Sequence, residues 1–231
     1  SYHFAPTKNA SKNLVREGVP KKNIFITGNT VIDALLETAK RLTDTSPLLP
    51  ELEFLNFLDS DKKLILVTGH RRESFGKGFT QIFSALISIA KKFDVEIIYP
   101  VHLNPNVYDL AKKMLINISN IHLIAPLNYQ AFTSLLSKSY LVLTDSGGIQ
   151  EEAPSLNKPV VVMRDSTERP EGIEAGTSVL VGTNRLKIES TVSKLLSDSK
   201  YYSKMAKAKN PYGDGKASDR ITKIIQLKIF N

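Results

Sequence analysis

The 231-residue chain has no cysteine. That excludes disulfides, thiolate zinc sites and cysteine nucleophiles, and it fits a reducing compartment. Histidine is scarce, at positions 3, 70, 102 and 122, and the scatter does not have the spacing of a metal site. No apolar run approaches the roughly 20 residues that cross a bilayer. No basic stretch leading into an apolar one marks a secretion signal. The chain opens at Ser1 rather than methionine, and we expect a piece of a longer protein.

Hydrophobic residues make up 42% of the chain, enough to offset the entropy of ordering it. The length suits one large α/β domain, or a domain with a remnant of another. Lysine and arginine number 31 against 23 acidic residues, a net charge of +8. Such a balance fits nucleic acid, an anionic surface or a phosphorylated small molecule. The lysines are dispersed in pairs such as Lys62-Lys63, Lys91-Lys92 and Lys112-Lys113, as on a solvated surface. They do not form the aromatic-interleaved stripe of single-strand binders, so neither a nucleic-acid nor a membrane partner is expected.

Short β-branched runs alternate with helical spacing from Lys63 onward. The runs are 64–67, 95–99, 121–124, 140–143, 159–162 and 179–181, and an earlier one, 24–27, is expected to open the same domain. Between them Ile82, Leu86, Ile89 and Phe93 recur at helical intervals, as do Leu110 with Met114 and Phe132 with Leu135 and Leu136. Strands this uniformly apolar are covered by helices on both faces, which predicts an α/β Rossmann-like parallel sheet. The ends fit less well. Residues 2–5 read as a lone strand before a helix ending at Gly18, and a final helix carries Ile221, Ile224, Ile225, Leu227 and Phe230. We therefore expect residues 1–23 to be a remnant of an N-terminal domain, 24–210 the main domain, and 211–231 a helix crossing back.

Ligands of open parallel sheets collect beyond the carboxyl ends of the strands. The loop after 140–144 reads Asp145-Ser146-Gly147-Gly148, then Glu151-Glu152. Its small residues feed a helix whose first amides can face a phosphate, and Glu152 lies about one turn on, where a carboxylate can accept both ribose hydroxyls. Ser-Gly-Gly also suits a tight strand-to-helix turn with no ligand. Gly69-His70-Arg71-Arg72-Glu73 follows 64–67. Arginine forks match phosphate oxygens, and His70 can donate a proton or hydrogen bond to a departing phosphate. Surface ion pairs would explain the arginines equally well. Arg169, stiffened by Pro170, can reach a phosphate or sugar hydroxyl, and His102 lies in the loop after 95–100.

Together these loops resemble the non-hydrolysing UDP-N-acetylglucosamine 2-epimerases. The resemblance runs through Phe4-Ala5-Pro6-Thr7, residues 27–33, Gly69-His70-Arg71-Arg72-Glu73, residues 100–105, 145–154, 164–172 and 210–215. It implies the C-terminal half of a GT-B fold, with the nucleotide in the cleft against a missing N-terminal domain. It implies that Ser146, Gly147 and Gly148 hold the diphosphate and that Glu152 takes the ribose. Phe132 would lie against the uracil, main chain near Leu127 would read its edge, and Arg169 would contact substrate. His70 would be the catalytic histidine. Arg71 and His102 would touch a second, regulatory UDP-N-acetylglucosamine. The implied reaction inverts C2 of UDP-N-acetylglucosamine by elimination and re-addition of UDP. It needs no metal or cofactor, and its acidic residues lie on the other domain, so this half alone would be inactive. The implied protein is cytoplasmic and usually a homodimer. A non-catalytic UDP-sugar sensor, or half of a GT-B glycosyltransferase, would share the glycine turn and ribose-binding glutamate.

Overall fold

A computed structural model describes residues 1–44, 49–58 and 61–229. In chain order the elements are β1 (His3–Ala5), α1 (Lys8–Arg16), β2 (Ile24–Ile26), α2 (Thr30–Asp44), β3 (Lys63–Thr68), α3 (Lys77–Lys92), β4 (Val95–Pro100), α4 (Pro105–Leu115), β5 (Ile121–Ile124), α5 (Tyr129–Lys138), β6 (Leu141–Thr144), α6 (Gly147–Glu152), β7 (Val160–Val162), α7 (Pro170–Glu174), β8 (Ser178–Leu180), α8 (Arg185–Ser197), α9 (Ser199–Ala206) and α10 (Ala217–Ile229).

Six of the strands form one all-parallel sheet in the order β5-β4-β3-β6-β7-β8. The period of two sends alternate side chains to opposite faces. Ile65 and Val67 of β3 join a core with Phe79, Ile82, Phe83 and Leu86 of α3, and with Ile188 and Val192 of α8. Leu66 faces a second core with Leu35 of α2 and Leu135 and Leu136 of α5. Both faces are covered, as the unbroken apolar strands predict, and each buried Leu, Ile or Val contributes about 1.5–3 kcal/mol. Strand order reverses between β3 and β6, which are hydrogen-bonded neighbours. That reversal opens a crevice at their carboxyl ends. Among the described residues no helix is long and apolar enough to cross a membrane.

One expectation is corrected. The run 24–27 does not join the large sheet: β2 pairs in parallel with β1, His3 against Ile24 and Ala5 against Ile26. The reason is connectivity. β1, α1 and β2 form one βαβ unit, and consecutive parallel strands joined by a short crossover pair with each other. α1 closes as expected at Gly18, whose φ of +87° lets its amide reach the Val15 carbonyl at 3.1 Å.

The chain passes from this small sheet to α2 through Gly28, and it leaves the large sheet through Tyr212 and Gly213. The two crossings touch. A Cβ on Gly28 would lie 3.4 Å from the Gly213 Cα, and the Asn29 amide donates to the Tyr212 carbonyl at 2.7 Å. Gly28 has φ +89°, so a side chain there is disfavoured twice over. The Asp33 carboxylate accepts the first amides of α10, from Ala217 at 3.1 Å and Ser218 at 2.7 Å. The Arg220 guanidinium donates to both Asp214 oxygens, at 2.8 and 2.7 Å, and to the Thr27 carbonyl at 3.0 Å. In α10 Ile221, Ile224 and Ile225 are half-buried while Leu227 is 63% exposed, and Phe230 lies outside the described residues.

Asp33→Ala removes that helix cap, which is worth about 1–2 kcal/mol. The expected result is a melting temperature lower by roughly 2–8 °C in a circular-dichroism scan. An unchanged melt would show that α10 is held by other contacts.

Candidate functional site

The site grows from the β3–β6 reversal. Asp145, the residue after β6, is fully buried. Its Oδ2 accepts the backbone amides of His70 and Arg71, both at 2.8 Å, so the loop after β3 is tied to the end of β6. The loop is held from beneath as well, where the buried Tyr99 hydroxyl donates to the Gly69 carbonyl at 2.7 Å. Burial, and then the charge of Asp145, push the Tyr99 phenol far above its ordinary range. Gly69 leaves no room for a side chain, since a Cβ would stand 3.1 Å from the Phe79 ring and 3.4 Å from the Tyr99 hydroxyl. The His70 ring stays 44% exposed and stacks on His102, centroids 5.5 Å apart at 18°. The ends of β3 and β4 thus bring together two histidines that lie far apart in sequence.

Beside this loop lies the glycine turn. The Ser146 amide is occupied by Thr144 Oγ1 at 2.9 Å, and no side chain caps α6. Among the described residues the amides of Gly147, Gly148 and Ile149 donate to nothing, as expected for the first turn of a helix. Gly148 is exposed, and the nearest atom to a Cβ placed on it is Ser146 Oγ, 3.9 Å away. Approach to these amides is open. Gly147 is buried, and a Cβ on it would meet Glu168 Oε1 at 3.1 Å and the Arg169 guanidinium at 3.7 Å. The arginine therefore lies directly against the turn.

Glu152 ends α6, 6% exposed, and accepts the Tyr129 hydroxyl at 3.2 Å. Burial raises its carboxyl above the usual range, the Tyr129 bond opposes this, and the charge of Glu151 adds to it. Tyr129 is pushed up to about 12 by burial and by Glu152. Sequence reasoning missed this tyrosine; its only signal is its place one turn before Phe132 on α5. Phe132 and Leu127 are partly buried and pack, as Ile149 of α6 does, against the second core.

Arg169, Arg71 and Arg164 are each paired. Arg169 bonds to Glu151, which also accepts from the Asn29 side chain. Arg71 reaches Glu168 at 3.3 Å, and the buried Arg164 joins Glu168 at 2.5 Å to Glu73 at 2.8 Å. Burial works against both charges of the Arg164–Glu168 pair. Their hydrogen bonds prevail, holding the Glu168 carboxyl below and the Arg164 guanidinium above their ordinary ranges. The sequence did not single out Glu168 or Glu151 for this bracing. A separate apolar cleft of about 380 Å³, between α4 and the ends of β4 and β5, includes Val101, Leu103, Tyr108 and Leu123 in its lining. None of the residues described above lines it. The free amides and the Arg169 guanidinium lie together at the glycine turn, with the His70 ring beside Asp145, which precedes it, and this is the candidate site.

Residues 1–226 match the family model described as UDP-N-acetylglucosamine 2-epimerase. The chain belongs to that family. It is 56% identical over 227 residues to the UDP-N-acetylglucosamine 2-epimerase of Yersinia pestis and 53% identical to that of Escherichia coli K12. Each match covers 97% of this chain but 60% of the relative, so the chain spans about three-fifths of their length. Among solved structures, the Neisseria meningitidis enzyme bound to UDP-GlcNAc is 43% identical with a TM-score of 0.92, covering 98% of this chain and 62% of that one. A Staphylococcus aureus co-structure of MnaA with UDP is 44% identical with a TM-score of 0.89, covering 99% and 61%. The wall teichoic acid polymerase TagF shares the fold alone, at 18% identity and a TM-score of 0.59, covering 99% of this chain and 58% of that one. The expected fold class is borne out: a Rossmann-like α/β sheet of the kind found in GT-B family members.

Glu168→Gln tests the ionic bracing. The carboxyl is held low in the folded state, so its contribution is complete above the ordinary glutamate value, about pH 4.3, and is lost as the pH falls through the lowered folded value. The variant should be less stable at neutral pH by only ~1 kcal/mol, because the group is half-exposed. The gap from wild type should close in acid. A gap that widens in acid would refute the pairing.

Proposed function

We propose that this chain is the UDP-binding half of a UDP-N-acetylglucosamine 2-epimerase. The observation that carries the reading is the row of free amides at Gly147 and Gly148, with the Arg169 guanidinium against Gly147 and the His70 amide bonded to Asp145, two residues before it. Amides at the positive end of a helix, joined by an arginine fork, suit a diphosphate. Ser146 adds a hydroxyl. Glu152, kept close to Tyr129, takes the ribose hydroxyls, with the uracil against Phe132 and the main chain near Leu127.

In the proposed reaction a base removes the C2 proton as the C1–oxygen bond breaks. The bonding pair leaves on the diphosphate oxygen, giving UDP and a 2-acetamidoglucal. A proton then returns to the opposite face of C2, and UDP adds back at C1. The work of this half is to stabilise departing UDP: the amides and Arg169 hold its charge, and His70 donates to it. Glu73, Glu151 and Glu168 are engaged with arginines, which supports placing the base on an N-terminal domain outside this chain. Residues 1–23 as part of that domain, 24–210 as the nucleotide domain and 211–231 as a returning helix remain our division, with one change: β2 goes with β1. Arg71 and His102 are proposed to hold a regulatory UDP-N-acetylglucosamine. The stacking of His102 on His70 would put that sugar beside the reacting one. We further propose a cytoplasmic, homodimeric full-length enzyme.

Calorimetry of this chain with UDP should give a dissociation constant on the order of 0.1–1 mM. Absence of binding at millimolar ligand, or unaided interconversion of UDP-N-acetylglucosamine and UDP-N-acetylmannosamine, would refute the proposal. Glu152 must be ionised to accept two hydroxyls, and its carboxyl is raised. On acidification UDP affinity should therefore fall earlier than an ordinary glutamate would dictate. Glu152→Gln should bind more weakly and lose that part of the pH profile; a profile identical to wild type would remove Glu152 from the site.

A further inference from the structure

Asp145 is the most deeply buried acid of the site, and the reaction above gives it no part. Its side chain is 1% exposed, and Oδ2 is occupied by the His70 and Arg71 amides at 2.8 Å. Oδ1 has no hydrogen-bond partner. A buried carboxylate oxygen left without a donor is costly and calls for an explanation. The His70 ring supplies one, because Nδ1 stands 3.6 Å from Oδ1. That separation is longer than a hydrogen bond, but such contacts in ligand-free sites commonly tighten when the ligand enters. The ring is partly exposed but supported. Its backbone is fixed by the same carboxylate, and one face is covered by His102.

We propose that Asp145 is the positioning residue of His70: Oδ1 takes the Nδ1 proton, which fixes the tautomer and turns Nε2 outward. This rests on the reading that His70 faces the diphosphate of the nucleotide. No atom is transferred to or from Asp145. In an imidazole, the bond made by one nitrogen decides which proton the other presents. One carboxylate thereby sets the path of the loop through Oδ2 and the orientation of the ring through Oδ1. An asparagine can keep the amide-accepting oxygen but turns an NH2 toward Nδ1. The nitrogen must then accept rather than donate, which inverts the tautomer.

The test is long-range proton–nitrogen correlation NMR on the 15N-histidine-labelled chain, at about pH 9, where an ordinary imidazole is neutral. His70→Gln identifies the His70 signals by their loss. The expected wild-type ring carries its proton on Nδ1. In Asp145→Asn the proton moves to Nε2, and UDP affinity measured by calorimetry falls by roughly fivefold, the worth of one weakened hydrogen bond. A wild-type ring protonated on Nε2 overturns the inference, and that spectrum decides even if the variant does not fold. A folded Asp145→Asn chain with the wild-type tautomer overturns it too, as does a tautomer that flips with no loss of affinity. His70→Gln binding UDP as tightly as wild type would instead refute the placement of His70 at the diphosphate, while the tautomer still reports on Asp145.

Discussion

The pairing of β3 with β6 at the centre of the large sheet is the constraint on which the site depends. Among the described residues it is the place in the large sheet where the strand order reverses, the position at which open parallel sheets collect ligands. The hydrogen-bonded register puts Thr68 beside Thr144, so the Gly69–His70 loop and the Ser146–Gly147 turn leave the sheet side by side. Asp145 closes the join. It is buried, yet two amide donors from the opposite loop satisfy one of its oxygens, and charge-assisted bonds of this type are strong enough to hold a loop without regular structure.

Around that join the positive charges are present but not idle. Arg169 is held by Glu151, and Arg71 and Arg164 share Glu168. A diphosphate entering the turn would compete with Glu151 for Arg169 rather than meet a bare guanidinium, which limits the affinity one half of a cleft can reach. Glu151 also bonds to Asn29, at the point where the chain crosses from the small sheet to α2. The Arg169 guanidinium is thus one residue removed from the crossing.

The crossings themselves are built for close contact. Gly28 and Gly213 meet backbone to backbone, and Asp33, Asp214 and Arg220 bind the start of α10 to the turns on either side. These polar ties hold the small βαβ unit and the last helix in place against the large sheet. Apolar burial is modest there, as the exposed Ile26 and Leu227 indicate.

The class of fold was legible in the sequence alone, and so were the loops that form the candidate site. Apolar runs alternating with helical spacing point to parallel strands covered on both faces, and glycines after a strand mark where backbone is left for a ligand. The loops 69–73 and 145–154 were legible for this reason, as was the helix stop at Gly18. Pairing was not legible. The run 24–27 looks like the other strands, and only the short crossover through α1 sent it to β1 rather than to the large sheet. Nor did the sequence reveal Tyr129 beside Glu152, Glu151 and Glu168 bracing the arginines, or Asp145 reaching across to His70. Apart from Arg164 with Glu168, four residues away, each of those contacts joins residues that are distant in sequence or on different elements. Local pattern records which way a side chain faces; which partner it meets is fixed only when the strands take their order in the sheet.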